Sequence, residues 1–266
     1  MVTEVALTGA AGRIGTVLRR GGAFRDCQTR LFDQRVIDDA SPEEVATVGT
    51  LHDETALDAA VAGASSIIHL AGIANDGNFA EITRSNIGGT YNVLEAARRN
   101  GVGRVVLASS NHAIGFTARS RVLGTDIQPR PDGVYGVSKV AVEALGRLYA
   151  DMYGISVISV RIGSCLPKPR TWRHLSTWLS PGDAVRLFHA SVHADYDGAL
   201  TVYGISANSR AWWDLEPGRD IGYEPIDNAE CYVEEVRKMD GPERHDDPST
   251  LYAGGRVPRV VPSSRT

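Results

Sequence analysis

Tyr135 and Lys139 stand four residues apart in Tyr135-Gly136-Val137-Ser138-Lys139. That spacing puts both side chains on one face of a helix, one turn from each other. A free phenol, with a pKa of ~10, is a poor base at neutral pH. An ammonium within a few ångströms favours the phenolate and draws the tyrosine toward the working range of a general base. Tyrosine and lysine at helical spacing are common, so the flanking residues decide the reading.

A second group of residues has the types needed to hold a phosphate. Glu4-Val5-Ala6-Leu7-Thr8 reads as a short buried strand that runs into Gly9-Ala10-Ala11-Gly12-Arg13-Ile14-Gly15, with helix from Thr16 to Arg20. In a strand, glycine turn and helix of this kind, Gly9 permits the tight turn and Gly12 lets backbone approach a pyrophosphate. Gly15 allows close helix–strand packing, and the helix N-terminus receives the phosphate charge. Arg30-Leu31-Phe32-Asp33 then reads as the second strand, ending in a carboxylate. An acid there accepts hydrogen bonds from ribose hydroxyls and repels a 2′-phosphate, which predicts NAD over NADP. Arg13 and Arg35 are nearby cations that soften the preference.

The elements that must position these groups follow from the rest of the chain. Its 266 residues, 42% hydrophobic and 23% charged, suffice for one α/β domain with a small appended lobe. The boundaries expected are a dinucleotide-binding core over about 1–162, a lobe over about 163–240 and a loosely held, charge- and proline-bearing tail over 241–266. Further strands are expected at Thr47–Leu51, Ser66–Leu70, Arg104–Ser110, Ser156–Arg161 and Leu200–Gly204. Helices are expected at Asn78–Asn100 (with Phe79, Ile82, Ile87, Tyr91, Leu94 and Ala97 in register), from Tyr135 to Tyr153, and at Asp183–Ala194. Strands alternating with helices predict a Rossmann-type, doubly wound, mainly parallel seven-stranded sheet.

A net charge of −4 gives no reason to expect nucleic acid or a membrane surface as partner. No apolar run approaches the ~20 residues of a membrane helix, and no basic, apolar leader opens the chain. Cys27, Cys165 and Cys231 are few, odd in number and far apart, as expected of reduced thiols in a cytoplasm. No cysteine–histidine cluster has zinc spacing, so no metal is expected. His69 reads as a packed strand histidine, and Trp212 and Trp213 as packing of the lobe rather than a sugar platform.

The Tyr-x-x-x-Lys pair and the G-x-x-G-x-x-G turn resemble those of short-chain dehydrogenases/reductases. Other segments are more specific. Ser109-Ser110-Asn111-His112, Arg130-Pro131-Asp132-Gly133-Val134-Tyr135, Arg161-Ile162-Gly163-Ser164-Cys165, Leu175-Ser176-Thr177-Trp178, Ser206-Ala207-Asn208 and Trp212-Trp213-Asp214 are similar to bacterial uronate dehydrogenases. These belong to the extended NAD-dependent epimerase/dehydratase group, and the likeness runs along almost the whole chain.

The resemblance implies NAD-dependent oxidation of C1 of a hexuronic acid, galacturonate or glucuronate, to a lactone. It implies Tyr135, Lys139 and Ser110 as catalytic residues, with Ser109 the alternative serine. Gly9, Gly12, Arg13, Ile14, Gly15, Asp33, Leu51, Leu70, Ala71, Gly72, Asn86, Ser109, Tyr135, Lys139 and Ile162 fall on cofactor positions. Relatives commonly carry an aspartate where Thr50 stands; the Leu51 backbone can serve, and Asp53 is a weaker substitute. Arg173 matches the arginine that binds the sugar carboxylate, a task suited to the guanidinium fork. Ser110, Asn111, His112, Tyr135 and Ser164 would meet the ring, and Ala74 replaces a serine found in relatives, leaving a backbone contact or none. The family also implies a homo-oligomer. Two other readings remain at this stage: a sugar-nucleotide epimerase or dehydratase, and a non-catalytic NAD sensor.

Overall fold

In the first two strands successive side chains enter different cores. In a computed structural model that describes residues 4–119, 122–244 and 248–256, Val5, Leu7 and Leu31 lie in one cluster and Ala6 and Phe32 in another. Period-two alternation with both sets apolar is what a sheet covered on both faces requires. Along the chain the elements are β1 (Glu4–Thr8), α1 (Arg13–Gly21), β2 (Gln28–Asp33), β3 (Glu44–Val48), α2 (Glu54–Val61) and β4 (Ser66–His69). They continue with α3 (Phe79–Ile82), a π turn (Thr83–Gly88), α4 (Gly89–Arg99), β5 (Arg104–Ser110), α5 (Val134–Tyr153) and β6 (Ser156–Ile162). Then come β7 (Ser164–Cys165), α6 (His174–Thr177), β8 (Trp178–Leu179), α7 (Pro181–His193), β9 (Ala199–Gly204), α8 (Glu216–Arg219) and α9 (Val233–Asp240).

The main sheet has seven strands in the order β3-β2-β1-β4-β5-β6-β9, every pair parallel. Leu18 of α1 and Leu187 and Phe188 of α7 cover one face. Leu57 of α2, Val93 and Leu94 of α4 and Val142 and Tyr149 of α5 cover the other. The strand order reverses between β1 and β4, and a crevice opens there at the carboxyl ends of the strands. β7 pairs with β8 in a separate two-stranded ribbon beside it.

The expected strands and helices are present, with three differences. The third strand runs over Glu44–Val48 rather than Thr47–Leu51, because Gly49 turns the chain and donates its N–H to Asp33 O. The expected helix at Asn78–Asn100 contains the π turn Thr83–Gly88, which adds a residue to one turn and shifts the apolar stripe. Phe79 and Tyr91 face solvent, while Ile82, Val93, Leu94, Ala96 and Ala97 are buried.

The third difference lies in the expected loose tail. Residues 248–256 are tied to the segment after β5: Ala253 N donates to Thr117 O at 2.9 Å and Gly254 N to Gly115 O at 2.8 Å. Ala118 and Tyr252 form an antiparallel bridge. Ala253 completes a buried cluster with Ile114, Leu123, Tyr203, Ile205, Trp212 and Trp213, so both tryptophans pack the lobe as expected. Residues 245–247 and 257–266 of the expected tail lie outside the described residues.

Candidate active site

The crevice consists of two adjoining cavities of about 520 and 560 Å³ that share Gly9, Gly12, Leu70, Gly72 and Ile73. Gly9 is left-handed (φ +73), and a Cβ on it would stand 2.6 Å from Ala71 N. A Cβ on Gly15 would stand 2.5 Å from Gly9 O. The glycines are therefore needed for the close approach of β1, α1 and the β4 exit. No side chain caps α1 and no acid lies in its first turn, so its leading amides are left to an anion in the crevice. The arrangement could cradle a dinucleotide pyrophosphate, with Arg13 and Ile14 on the same wall.

The second cavity has the chemistry of an adenosine site. Asp33 is buried, its Oδ2 accepting from Ala11 N at 2.9 Å and its Oδ1 from Arg35 N at 3.0 Å. Each oxygen keeps acceptor capacity for a ribose hydroxyl. Thr50, Leu51 and Ala71 line the same cavity. Asp53 does not: its carboxylate caps α2 by accepting from Ala56 N at 3.0 Å.

The first cavity gathers the proposed catalytic and sugar-facing residues. Ser109 and Ser110 arrive at the end of β5, Asn111 and His112 in the 3₁₀ turn that follows, and Tyr135 and Lys139 from the first turns of α5. Ile162, Ser164 and Arg173 close it from the β6 exit onward, and Ala74 forms part of its rim. Ser110 and Ser109 separate clearly. The Ser109 hydroxyl donates to Glu143 Oε1 at 2.5 Å, whereas Ser110 Oγ donates to Asn111 Oδ1 at 3.3 Å and accepts from His112 N at 3.2 Å. Both serines line the cavity, and the Ser109 hydroxyl is the one engaged by Glu143.

The charge at the pair differs from the sequence expectation. Lys139 Nζ donates to Ala108 O at 2.6 Å and stands 5.5 Å from the centre of the Tyr135 ring. Burial raises the Tyr135 phenol above its usual value, with Ser110 opposing, so the lysine does not lower it in this arrangement. Burial also draws the Lys139 ammonium down to about 8, with Glu143 opposing. Glu143 is itself clamped by Arg161, Nε to Oε1 and Nη2 to Oε2, both at 2.9 Å.

Asn86 lines neither cavity but braces both. Its Oδ1 accepts from Ile73 N at 2.8 Å, and its Nδ2 donates to Ile73 O and to Ser138 Oγ, both at 3.0 Å. Ser138 in turn donates to Tyr135 O at 2.7 Å. The π turn lets Asn86 point inward from a helix. Behind it, the Thr90 hydroxyl donates to Asn86 O at 2.6 Å, so its oxygen accepts from His69 Nε2 at 3.1 Å. His69 Nδ1 then accepts from the Thr8 hydroxyl at 2.7 Å. Burial holds His69 neutral, its pKa pulled down to about 3. It is a structural histidine, as expected from its place in a strand.

Arg173 sits at the N-cap of α6 with its guanidinium partly buried against the first cavity. Burial lowers its pKa to about 10, with Asp132 opposing, so it is cationic at neutral pH. Sequence reasoning gave no role to four neighbouring groups. Asp132 receives His112, and Glu143 receives Ser109 and Arg161. Asp76 accepts from Tyr135 N at 2.9 Å and pairs with Arg256. Asp132 belongs to Arg130-Pro131-Asp132-Gly133, one of the segments similar to uronate dehydrogenases; for Asp76 and Arg256 no pattern in the sequence marks the contact.

The chain as a whole is similar to proteins of known family. The model of the NAD dependent epimerase/dehydratase family matches residues 5–212. A uronate dehydrogenase of Agrobacterium fabrum is 42% identical over 95% of this chain and 95% of its own length. One of Pseudomonas putida is 40% identical over 95% of this chain and 94% of its own. The crystal structure of a tyrosine-to-alanine mutant of the Agrobacterium tumefaciens uronate dehydrogenase, complexed with NAD, superposes with a TM-score of 0.90 at 41% identity, covering 96% of each chain. Likeness over this much of the sequence shows that the chain belongs to the NAD-dependent epimerase/dehydratase family.

Proposed function

We propose that this protein is an NAD-dependent uronate dehydrogenase that oxidises C1 of a free hexuronic acid, D-galacturonate or D-glucuronate, to its lactone with release of NADH. The observation that carries the reading is Arg173. Its cationic guanidinium stands in the same cavity as Tyr135, Lys139 and Ser110, so a carboxylate held there leaves the ring within the catalytic group. The full-length relatives named as uronate dehydrogenases support the substrate class.

The bound cofactor supplies a hydride acceptor and a positive charge that favours the phenolate. Ser110 holds the C1 oxygen against Tyr135, whose phenolate takes the hydroxyl proton as the C1 hydrogen leaves with its electron pair. Lys139 provides the ammonium near the phenolate and would hold the ribose of a bound cofactor. Gly9, Gly12, Arg13, Ile14 and Gly15 hold the pyrophosphate, and Asp33, Leu51 and Ala71 the adenosine half. Leu70, Gly72, Ser109 and Ile162 would frame a bound nicotinamide, and Asn86 holds the Ile73 backbone. Asn111, His112 and Ser164 meet the ring hydroxyls, and Ala74 offers no hydroxyl.

The core, lobe and tail act as one domain, and the protein works in a cytoplasm as a homo-oligomer. No helix among the described residues is long and apolar enough to cross a membrane. Tyr91 on α4 and Leu148, Met152 and Tyr153 on α5 are exposed apolar side chains, and they support an interface between copies there. A spectrophotometric screen of about a dozen sugars and sugar acids with NAD and NADP tests the activity. Stoichiometric NADH from free uronate supports the dehydrogenase; cofactor that stays bound and is regenerated would favour an epimerase. A Tyr135→Phe protein that kept its full biological effect would favour a sensor.

A further inference from the structure

Arg173 is aimed by the main chain of the C-terminal segment. Its Nη1 donates to Ser249 O at 3.4 Å and Tyr252 O at 3.3 Å, and its Nη2 donates to Ala253 O at 2.5 Å. These bonds use three of the five guanidinium hydrogens. Nε–H and the second Nη2 hydrogen have no partner among the described residues. Nε and Nη2 form the side of the guanidinium that binds a carboxylate with two parallel bonds, as Arg161 does with Glu143.

The same segment is joined to the reacting centre at two further points. Ala253 O also accepts from Asn111 Nδ2 at 2.9 Å, so one carbonyl bridges a sugar-facing amide and the guanidinium. Arg256 pairs with Asp76, whose other oxygen accepts from Tyr135 N at the start of α5. The backbone here is fitted closely. Gly255 is left-handed (φ +78), and a Cβ on it would stand 2.7 Å from Arg173 Nε; a Cβ on Gly254 would overlap Asp132.

We propose that residues 249–256 form a specificity strap: their carbonyls pre-orient Arg173 for a carboxylate and so set the preference for sugar acids over neutral sugars. The proposal rests on the assignment of Arg173 as the acid anchor. An arginine free to swing would lose conformational freedom on binding, and holding it beforehand removes that loss. The strap carbonyls also turn their negative ends to the cation without neutralising it, so it keeps its charge for the substrate.

The test compares galacturonate with galactose, which presents the same C1 and ring but a hydroxymethyl group in place of the carboxylate. In Gly255→Ala the added methyl displaces the guanidinium. The KM for galacturonate should rise about tenfold or more, while kcat, the KM for NAD and kcat/KM for galactose stay within about twofold. Arg256→Ala, at an exposed position, should lower the galacturonate-to-galactose ratio of kcat/KM in the same direction by a smaller factor, and it serves if Gly255→Ala does not fold. A ratio unchanged in both folded variants, or an equal fall for both sugars, overturns the strap. Arg173→Ala separates the two claims. If it abolishes the preference while the strap variants keep it, the strap fails and the anchor stands; if it leaves the preference intact, the anchor itself fails.

Discussion

His112 Nδ1 lies 2.8 Å from one carboxylate oxygen of the buried Asp132 and 3.0 Å from the other. A carboxylate accepts and does not donate, so Nδ1 carries a hydrogen and Nε2 is the ring atom left for the cavity. His112 also meets Tyr135 edge-on, ring centres 5.8 Å apart. Asp132 thus acts as a positioning residue for the sugar-facing imidazole. Asp132→Asn keeps the shape but offers an amide that can stabilise the other tautomer. We expect kcat/KM for uronate to fall by about tenfold or more with the KM for NAD unchanged; an unaltered uronate kcat/KM would remove Asp132 from the account.

The pH dependence follows from burial at the pair. Lys139, drawn down to about 8, and Tyr135, raised above its usual value, both hold their protons at neutral pH. The first proton is lost from the pair as a unit, and the species left includes the phenolate–ammonium form that does the chemistry. kcat/KM should therefore rise with pH and level off above about 8. A profile that is flat or falling through that region contradicts the assignment of this pair as the base.

His69 makes a stability prediction with a definite sign. Its ordinary pKa of 6.5 is pulled down to about 3 in the fold, by burial first and by Lys139 second. Above 6.5 both folded and unfolded chains carry it neutral; between 6.5 and about 3 only the unfolded chain takes the proton. Stability is then lost as pH falls through that window, by up to about 5 kcal/mol for a shift of this size. His174, pulled down to about 4, adds to the loss in the same direction. Denaturant unfolding at a series of pH values checks this: a His69→Asn protein should show a pH slope smaller by about one proton, and an equal slope would mean that His69 is protonated in the fold.

We expect Asp33 and Arg35 to govern the choice of cofactor. The Asp33 carboxylate lines the second cavity, where it would repel a 2′-phosphate, while exposed Arg35 lies 3.6 Å from it and Arg13 lines the adjoining cavity. Asp33→Ser should raise the KM for NAD and lower that for NADP, shifting the kcat/KM ratio toward NADP by about tenfold or more. A ratio that does not move would show that discrimination lies elsewhere.

The parts legible in the sequence are those set by short-range physics. The alternation of strands with helices specified a parallel sheet covered on both sides, and the glycines at 9, 12 and 15 marked close backbone approach. Tyr135, Lys139 and Ser110 were placed together by motif, and Arg173 by resemblance. The π turn was not legible, because an added residue within one helical turn leaves no mark on composition, and the apolar list at 78–100 misplaced Phe79 and Tyr91. The strap was hidden for another reason. Its order comes from main-chain bonds to residues 115–119, far away in sequence, while its own residues show no helical or strand periodicity. The fall of Lys139 and the rise of Tyr135 depend on burial, which follows only once α5 packs against β5.

The central claim is that a guanidinium pins the acid group of a sugar whose C1 faces a tyrosine. Steady-state kinetics of Arg173→Ala with galacturonate and NAD tests it most directly. Loss of a buried bidentate ion contact, about 2–5 kcal/mol, should raise the KM for galacturonate by well over tenfold and leave that for NAD nearly unchanged. Equal effects on the two substrates, or none on galacturonate, would contradict it.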